Sequence, residues 1–137
     1  MQKTTLHLIY ITIQQLIDSI KDAIRGVTTQ LNVELAELGI PKTSGSKYQP
    51  LSYSHLKKIF IEAKTLRPQN KFIDLGSGLG RPLIVANEVG FSELYGVEIS
   101  RKLVNLCSKN LKLRCIKSNL SCTDVDNYKL PNGNLII

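Results

Sequence analysis

Three glycines in five positions, Gly76, Gly78 and Gly80, follow directly on the short run Phe72–Leu75, and this cluster restricts the fold of the 137-residue chain more than any other stretch. Glycine is costly to order and has no side chain to pack. A cluster of glycines therefore marks a place where the chain turns tightly, or where something approaches the backbone too closely for a Cβ. The flanking residues have a regular rhythm. Residues 71–75 read as a buried strand and 81–90 as a helix, with Pro82 tolerated in its first turn and Gly90 at its end. A second strand is expected over 93–99. Ser100 would cap a helix over 101–112, a third strand would occupy 114–119, and residues 135–137 would begin a fourth. Strands alternating with helices of about ten residues signal βαβ units, so the expected class is α/β with a parallel sheet.

Upstream of Pro68 the pattern is helical. Leu6, Ile9, Ile13, Leu16, Ile17, Ile20 and Ile24 recur at intervals of three and four, which places them on one face of a helix that ends near Gly26 and packs on the domain or on a partner. Gln14, Gln15 and Asp18 interrupt the apolar run too soon for a membrane span. A shorter helix is expected over 29–38, followed by an exposed Pro-, Gly-, Ser- and Lys-rich connector over 41–50. Ser52 or Ser54 then caps a helix carrying Leu56, Ile59, Phe60 and Ala63 on one side. This divides the chain into an N-terminal helical region, 1–68, and a nucleotide-binding part, 69–137.

The net charge of +7 is dispersed along the chain, so it describes a solvated basic surface and does not indicate nucleic acid. Cys107, Cys115 and Cys122 lack zinc spacing and read as small apolar residues in a reducing, cytoplasmic setting. The two histidines, His7 and His55, fall in separate helices, so neither a histidine pair nor a metal site is expected.

A glycine turn between the first strand and helix of a βαβ unit is where nucleotide-like cofactors meet the backbone. The dinucleotide fingerprint G-x-G-x-x-G is not met, because Arg81 occupies its third glycine position. Asp74 would oppose a pyrophosphate but suits a ligand carrying an ammonium group, as the methionine part of S-adenosylmethionine does. Glu98 ends the second strand at a spacing where carboxylates accept hydrogen bonds from ribose hydroxyls.

With "FIDLGSGLGR" and "YGVEIS" the chain resembles the class I, Rossmann-like S-adenosylmethionine-dependent methyltransferases. "RGVTT", "YQP" and "LPNGNLII" are similar to a group of bacterial members. The pair "DLGSG" and "GVE" also resembles, less closely, the non-SET histone lysine methyltransferases. The resemblance implies that Gly76, Ser77, Gly78 and Gly80 form a loop under the methionine moiety. By the same likeness Asp74 holds its amino group, Glu98 binds the ribose and Ile99 packs on the adenine. It aligns Asn119, followed by Leu120, with an aspartate that in many members reaches the adenine amino group, and it makes Tyr48 a candidate lid.

It also implies a seven-stranded sheet in the order 3-2-1-4-5-7-6, of which strands 3-2-1-4 are represented and the C-terminal part is missing. The expected activity is methyl transfer to an acceptor that is not identified, a protein lysine or another nitrogen, with no catalytic residue visible. The alternatives are a truncated, non-catalytic binding module or an NAD-binding Rossmann protein. An open sheet edge would favour self-association.

Overall fold

Four parallel strands frame the computed structural model, which describes residues 2–30, 50–68, 70–132 and 135–136. They are β1 (Lys71–Leu75), β2 (Glu93–Glu98), β3 (Asn119–Cys122) and β4 (Leu135–Ile136), in the order β3-β2-β1-β4. The expected α/β class and the 3-2-1-4 order are thus present. The chain steps from β1 through β2 to β3 on one side and then returns to pair β4 with β1, Phe72 opposite Leu135. The topological switch therefore falls beside β1, at the carboxyl ends of the strands.

The helices are α1 (Gln2–Arg25), α2 (Tyr53–Leu66), α3 (Arg81–Glu88) and α4 (Arg101–Leu113). Ser52 caps α2 by accepting from the His55 amide, and Ser100 caps α4 by accepting from the Leu103 amide. Phe60 of α2, Phe72 of β1 and Phe91 form a buried aromatic row, with ring centroids 4.8 and 5.5 Å apart. Leu83, Ile84, Leu94 and Leu111 complete the same core from α3, β2 and α4. In α2 the buried residues are Tyr53, Leu56 and Phe60, whereas Ile59 turns to solvent because its position lies about 100° off that face.

The third strand differs from expectation. It begins at Asn119, five residues later than predicted, because the apolar Ile116 closes α4 instead of starting β3. Cys115 adopts φ 55°, its amide donates to Lys112 O, and the Ile116 amide reaches back to Leu111 O. This is a Schellman closure, with Ile116 packed against the core.

The apolar face of the first helix, expected to pack on the domain or on a partner, does not pack on the described part of the domain. That face, Leu6 to Ile24, is exposed among the described residues, and the polar face carries Asp18 and Asp22 into the protein. The reason is Arg81. It stands in the first turn of α3, the positive end of the helix dipole, and is 1% exposed, so only carboxylates can offset its charge there. Arg81 Nη1 donates to Asp18 Oδ2 at 2.9 Å and to Leu51 O at 2.9 Å, and Arg81 Nε donates to Thr29 Oγ1 at 2.7 Å. Thr29 in turn donates to Asp22 through both its amide and its hydroxyl, 2.7 Å each. The Tyr53 hydroxyl also donates to Asp22, at 2.6 Å, and its ring lies under both Arg25 and Arg81. At the edge, Arg25 makes a two-pronged pair with Glu88 of α3.

Of the helix predicted over 29–38, Thr29 and Gln30 are described and are not helical; residues 31–38, and all of the connector over 41–50 except Pro50, including Tyr48, lie outside the described residues. Among those that are described, no helix is long and apolar enough to cross a membrane.

Removing one partner of a buried ion pair leaves an uncompensated charge. Asp18→Ala is expected to lower unfolding stability by about 3–5 kcal/mol. Ile24→Ala, on the exposed face, is expected to change it by less than about 0.5 kcal/mol. Urea denaturation of the two variants beside the wild type checks this.

Candidate functional site

The turn after β1 is built from positive-φ glycines: Gly76 at +95°, Gly78 at +49° and Gly80 at +86°. These conformations strain any residue with a Cβ. At Gly76 a Cβ would meet nothing within 4 Å, so the backbone there faces open space. At Gly80 it would lie 2.7 Å from Cys107 Sγ, so α4 packs hard against the end of the loop.

Three side chains hold the loop. The amides of Gly76 and Ser77 donate to Val97 O, tying the turn to β2. Glu98, buried at the end of β2, accepts from the Gly78 amide at 3.0 Å through one oxygen and from the Ser100 amide at 2.9 Å through the other. Asn110 of α4 donates to Leu79 O at 3.0 Å and to Thr28 O at 2.8 Å, linking the loop to the segment after α1. Arg81 follows the loop and anchors it to α1 through Asp18. Sequence reasoning singled out Glu98 but missed Asn110 and took Arg81 for a helix start. No local signal marks either role, because their partners lie 82 and 63 residues away.

Asp74, at the carboxyl end of β1, is buried, and its Oδ2 has no hydrogen-bond partner; the Ser77 hydroxyl beside it is also buried and unpaired. Burial, with the charge of Glu98 adding to it, pushes the Asp74 carboxyl up to about 7. Burial also pushes the Cys107 thiol up to about 12, which leaves it an inert packing group. Unpaired buried polar atoms are rare in native proteins, and two at the mouth of a glycine turn mark a place where a ligand group belongs.

Asp74, Gly76, Ser77, Gly78, Gly80 and Glu98 are therefore brought together at one end of the sheet, and Ile99 follows there half-exposed. Asn119 and Leu120 are not at that end. The later start of β3 puts Asn119 level with Tyr95, three residues before the strand ends, and Leu120 packs over Gly96. The residues that follow the carboxyl end of β3 are Thr123 and Asp124. Asp124 caps a short 3-10 turn, Val125–Asn127, by accepting from the Asp126 amide. A groove of about 690 Å³ between α1, α2 and α3, lined by Lys21, Arg25, Lys57 and Glu88 among others, contains none of these loop residues. Among the described residues no His, Cys, Asp and Glu cluster could hold a metal.

A parallel sheet in this order, with a G-x-G-x-G turn and an acid ending each of the first two strands, is the nucleotide-binding portion of the Rossmann-like methyltransferase fold. Residues 41–134 match the family described as Histone methylation protein DOT1, and the chain belongs to that family.

Among solved structures, the chain is similar to a protein assigned as an RNA methyltransferase from Pyrococcus horikoshii. The identity is 24% and the TM-score 0.54, over 66% of this chain and 45% of that one. It is also similar to an S-adenosylmethionine-dependent methyltransferase from Clostridium acetobutylicum, at 18% identity and TM-score 0.53, over 58% of this chain and 33% of the other. The chain thus spans less than half the length of either structure. No curated protein matches it.

The Asp74 carboxyl stays protonated in the folded state up to about pH 7, whereas in the unfolded chain it ionises near 3.8. Between those values the folded form binds more protons, so this group's contribution to stability falls as pH rises through the window and is lost above it. About three units at about 1.4 kcal/mol each set an upper bound of about 4 kcal/mol. Urea midpoints at pH 5 and pH 8 are expected to lie closer together in Asp74→Asn than in the wild type.

Proposed function

We propose that the chain provides the S-adenosylmethionine-binding part of a methyltransferase that modifies a nitrogen acceptor, a protein lysine above others. The observation that carries this reading is the unpaired, buried Asp74 carboxylate oxygen beside the open backbone of Gly76. Such an acid repels a pyrophosphate and attracts an ammonium, which favours an amino-acid-bearing nucleoside over a dinucleotide. Membership of a histone methylation family supports a protein as acceptor.

The residues present fit that cofactor. Asp74 would accept from its ammonium group, and the Ser77 hydroxyl offers a second polar contact. Gly76, Ser77 and Gly78 would pass under its methionine part. Glu98 uses one lone pair on each oxygen for the Gly78 and Ser100 amides and retains acceptor capacity for ribose hydroxyls. Ile99 would pack on the adenine, and Asp124, in place of Asn119, is the acid after β3 that could reach its amino group. When bound, the cofactor supplies an electrophilic methyl on a sulfonium. The protein's own contribution is to orient it at the carboxyl ends of β1 and β2.

Calorimetry with S-adenosylhomocysteine tests the reading. Binding is expected in the wild type, with Glu98→Ala weakening it by about 1.5–3 kcal/mol, the scale of a hydrogen bond to a charged group. Affinity is expected to rise from pH 6 to pH 8 as Asp74 ionises against the ligand's ammonium, and Asp74→Asn is expected to remove that rise. Binding of NAD without either S-adenosyl ligand would overturn the proposal. Transfer of a labelled methyl group to a lysine-containing histone peptide, by a form of the protein that binds the cofactor, tests the acceptor separately.

A further inference from the structure

We propose that the stretch Arg25–Thr29 is a positioning element of the glycine turn: it fixes the turn at Leu79 and Arg81 and thereby sets how tightly the turn takes its ligand. The proposal rests on the reading of that turn as an S-adenosylmethionine site. The stretch precedes residues 41–134, the part of the chain that matches the family. Every one of its residues is engaged. Arg25 pairs with Glu88 of α3, and Gly26, at φ +67°, turns the chain out of α1. Val27 is buried in the core, and its amide donates to Asp22 O. The side chain of Asn110 holds Thr28 at both ends, accepting from its amide at 3.2 Å and donating to its carbonyl at 2.8 Å. The second hydrogen on the same Nδ2 goes to Leu79 O at 3.0 Å. Thr29, fully buried, accepts from Arg81 Nε at 2.7 Å through its hydroxyl. Thr28 and Thr29 thus reach the chain on both sides of Gly80.

Two arguments tie these contacts to ligand binding. Glycine has no strong conformational preference of its own, so a turn with Gly76, Gly78 and Gly80 all at positive φ keeps its shape through bonds from outside it. The holds on its first half are Val97 O and Glu98, and Glu98 is a group that the ligand itself engages. The holds on its second half are Asn110 and Arg81, and both lean on Thr28 and Thr29. The second argument is the charge of Arg81. Its guanidinium is buried and its Nη2 already lacks an acceptor, so loss of the Thr29 hydroxyl leaves Nε without one as well. A buried cation with two unmet donors shifts toward whatever acceptor is near, and since Arg81 is bonded directly to Gly80 the shift passes into the turn. A binding loop already in its bound shape takes a ligand more tightly than one that has to be ordered.

Amide hydrogen exchange of the unliganded chain and calorimetry with S-adenosylhomocysteine, both well below the thermal midpoint, test the proposal in Thr29→Val and Thr29→Ser. In Thr29→Val the exchange of the Gly78 and Gly80 amides is expected to speed up about tenfold more than that of the amides in β1 and β2, and the affinity is expected to fall about tenfold. Thr29→Ser keeps the hydroxyl and is expected to restore both. Asn110→Ala, which frees Leu79 O, serves if Thr29→Val does not fold, and the same two changes are expected. A rise in exchange spread evenly over turn and strands overturns the proposal, because it is the mark of a general loss of stability. A Thr29→Ser chain that binds as weakly as Thr29→Val also overturns it. A wild type that binds no S-adenosyl ligand removes the reading of the site and this proposal with it, whereas a wild type that binds beside an equally tight Thr29→Val removes this proposal alone.

Discussion

The buried guanidinium of Arg81 is the interaction on which the rest of the arrangement depends. A cation with 1% exposure at the positive end of a helix is tolerated only where carboxylates meet it, and both carboxylates come from α1. That requirement decides which face of α1 turns inward. It draws in the segment Val27–Thr29, where Thr29 accepts from Arg81 Nε, and it brings the ring of Tyr53 of α2 against the same charge, while Arg81 Nη2 faces Asp22 at 3.9 Å without a hydrogen bond. Since Arg81 directly follows Gly80, everything that satisfies it also braces the glycine turn.

The sheet supplies the second half of the site. Parallel strands end together, so the acids that close β1 and β2 arrive at one edge with the glycine backbone between them. Asp74 is left without a partner on one oxygen, and burial pushes its carboxyl up to about 7, while each oxygen of Glu98 accepts from one backbone amide. Two carboxyls a strand apart thus have different roles. One holds the loop in shape and keeps a lone pair on each oxygen, and the other remains available for a cation.

What was legible in the sequence was what lies close along the chain. The glycine turn, the acids ending two strands, the Ser52 and Ser100 caps and the strand order all follow from spacings of a few residues or from the alternation of periods. What was not legible depended on distant partners. Ile116 looked like strand because it is apolar and flanked by Cys115, but the core takes it as the closing contact of α4. That single reassignment moved β3 and carried Asn119 and Leu120 away from the site. The stripe from Leu6 to Ile24 suited packing on the domain as well as on a partner, because apolar residues usually are inside. The electrostatic demand of a residue 63 positions further on turned the polar face inward instead.

Glu98 joins the turn after β1 to the start of α4 through one planar group. The Gly78 amide holds one oxygen and the Ser100 amide holds the other, so a shift of either turn pulls directly on its neighbour. The two walls of the cleft are consequently linked mechanically, as jaws sharing one pin. A ligand that drew the Glu98 carboxylate outward would weaken both contacts together, because one group carries them both.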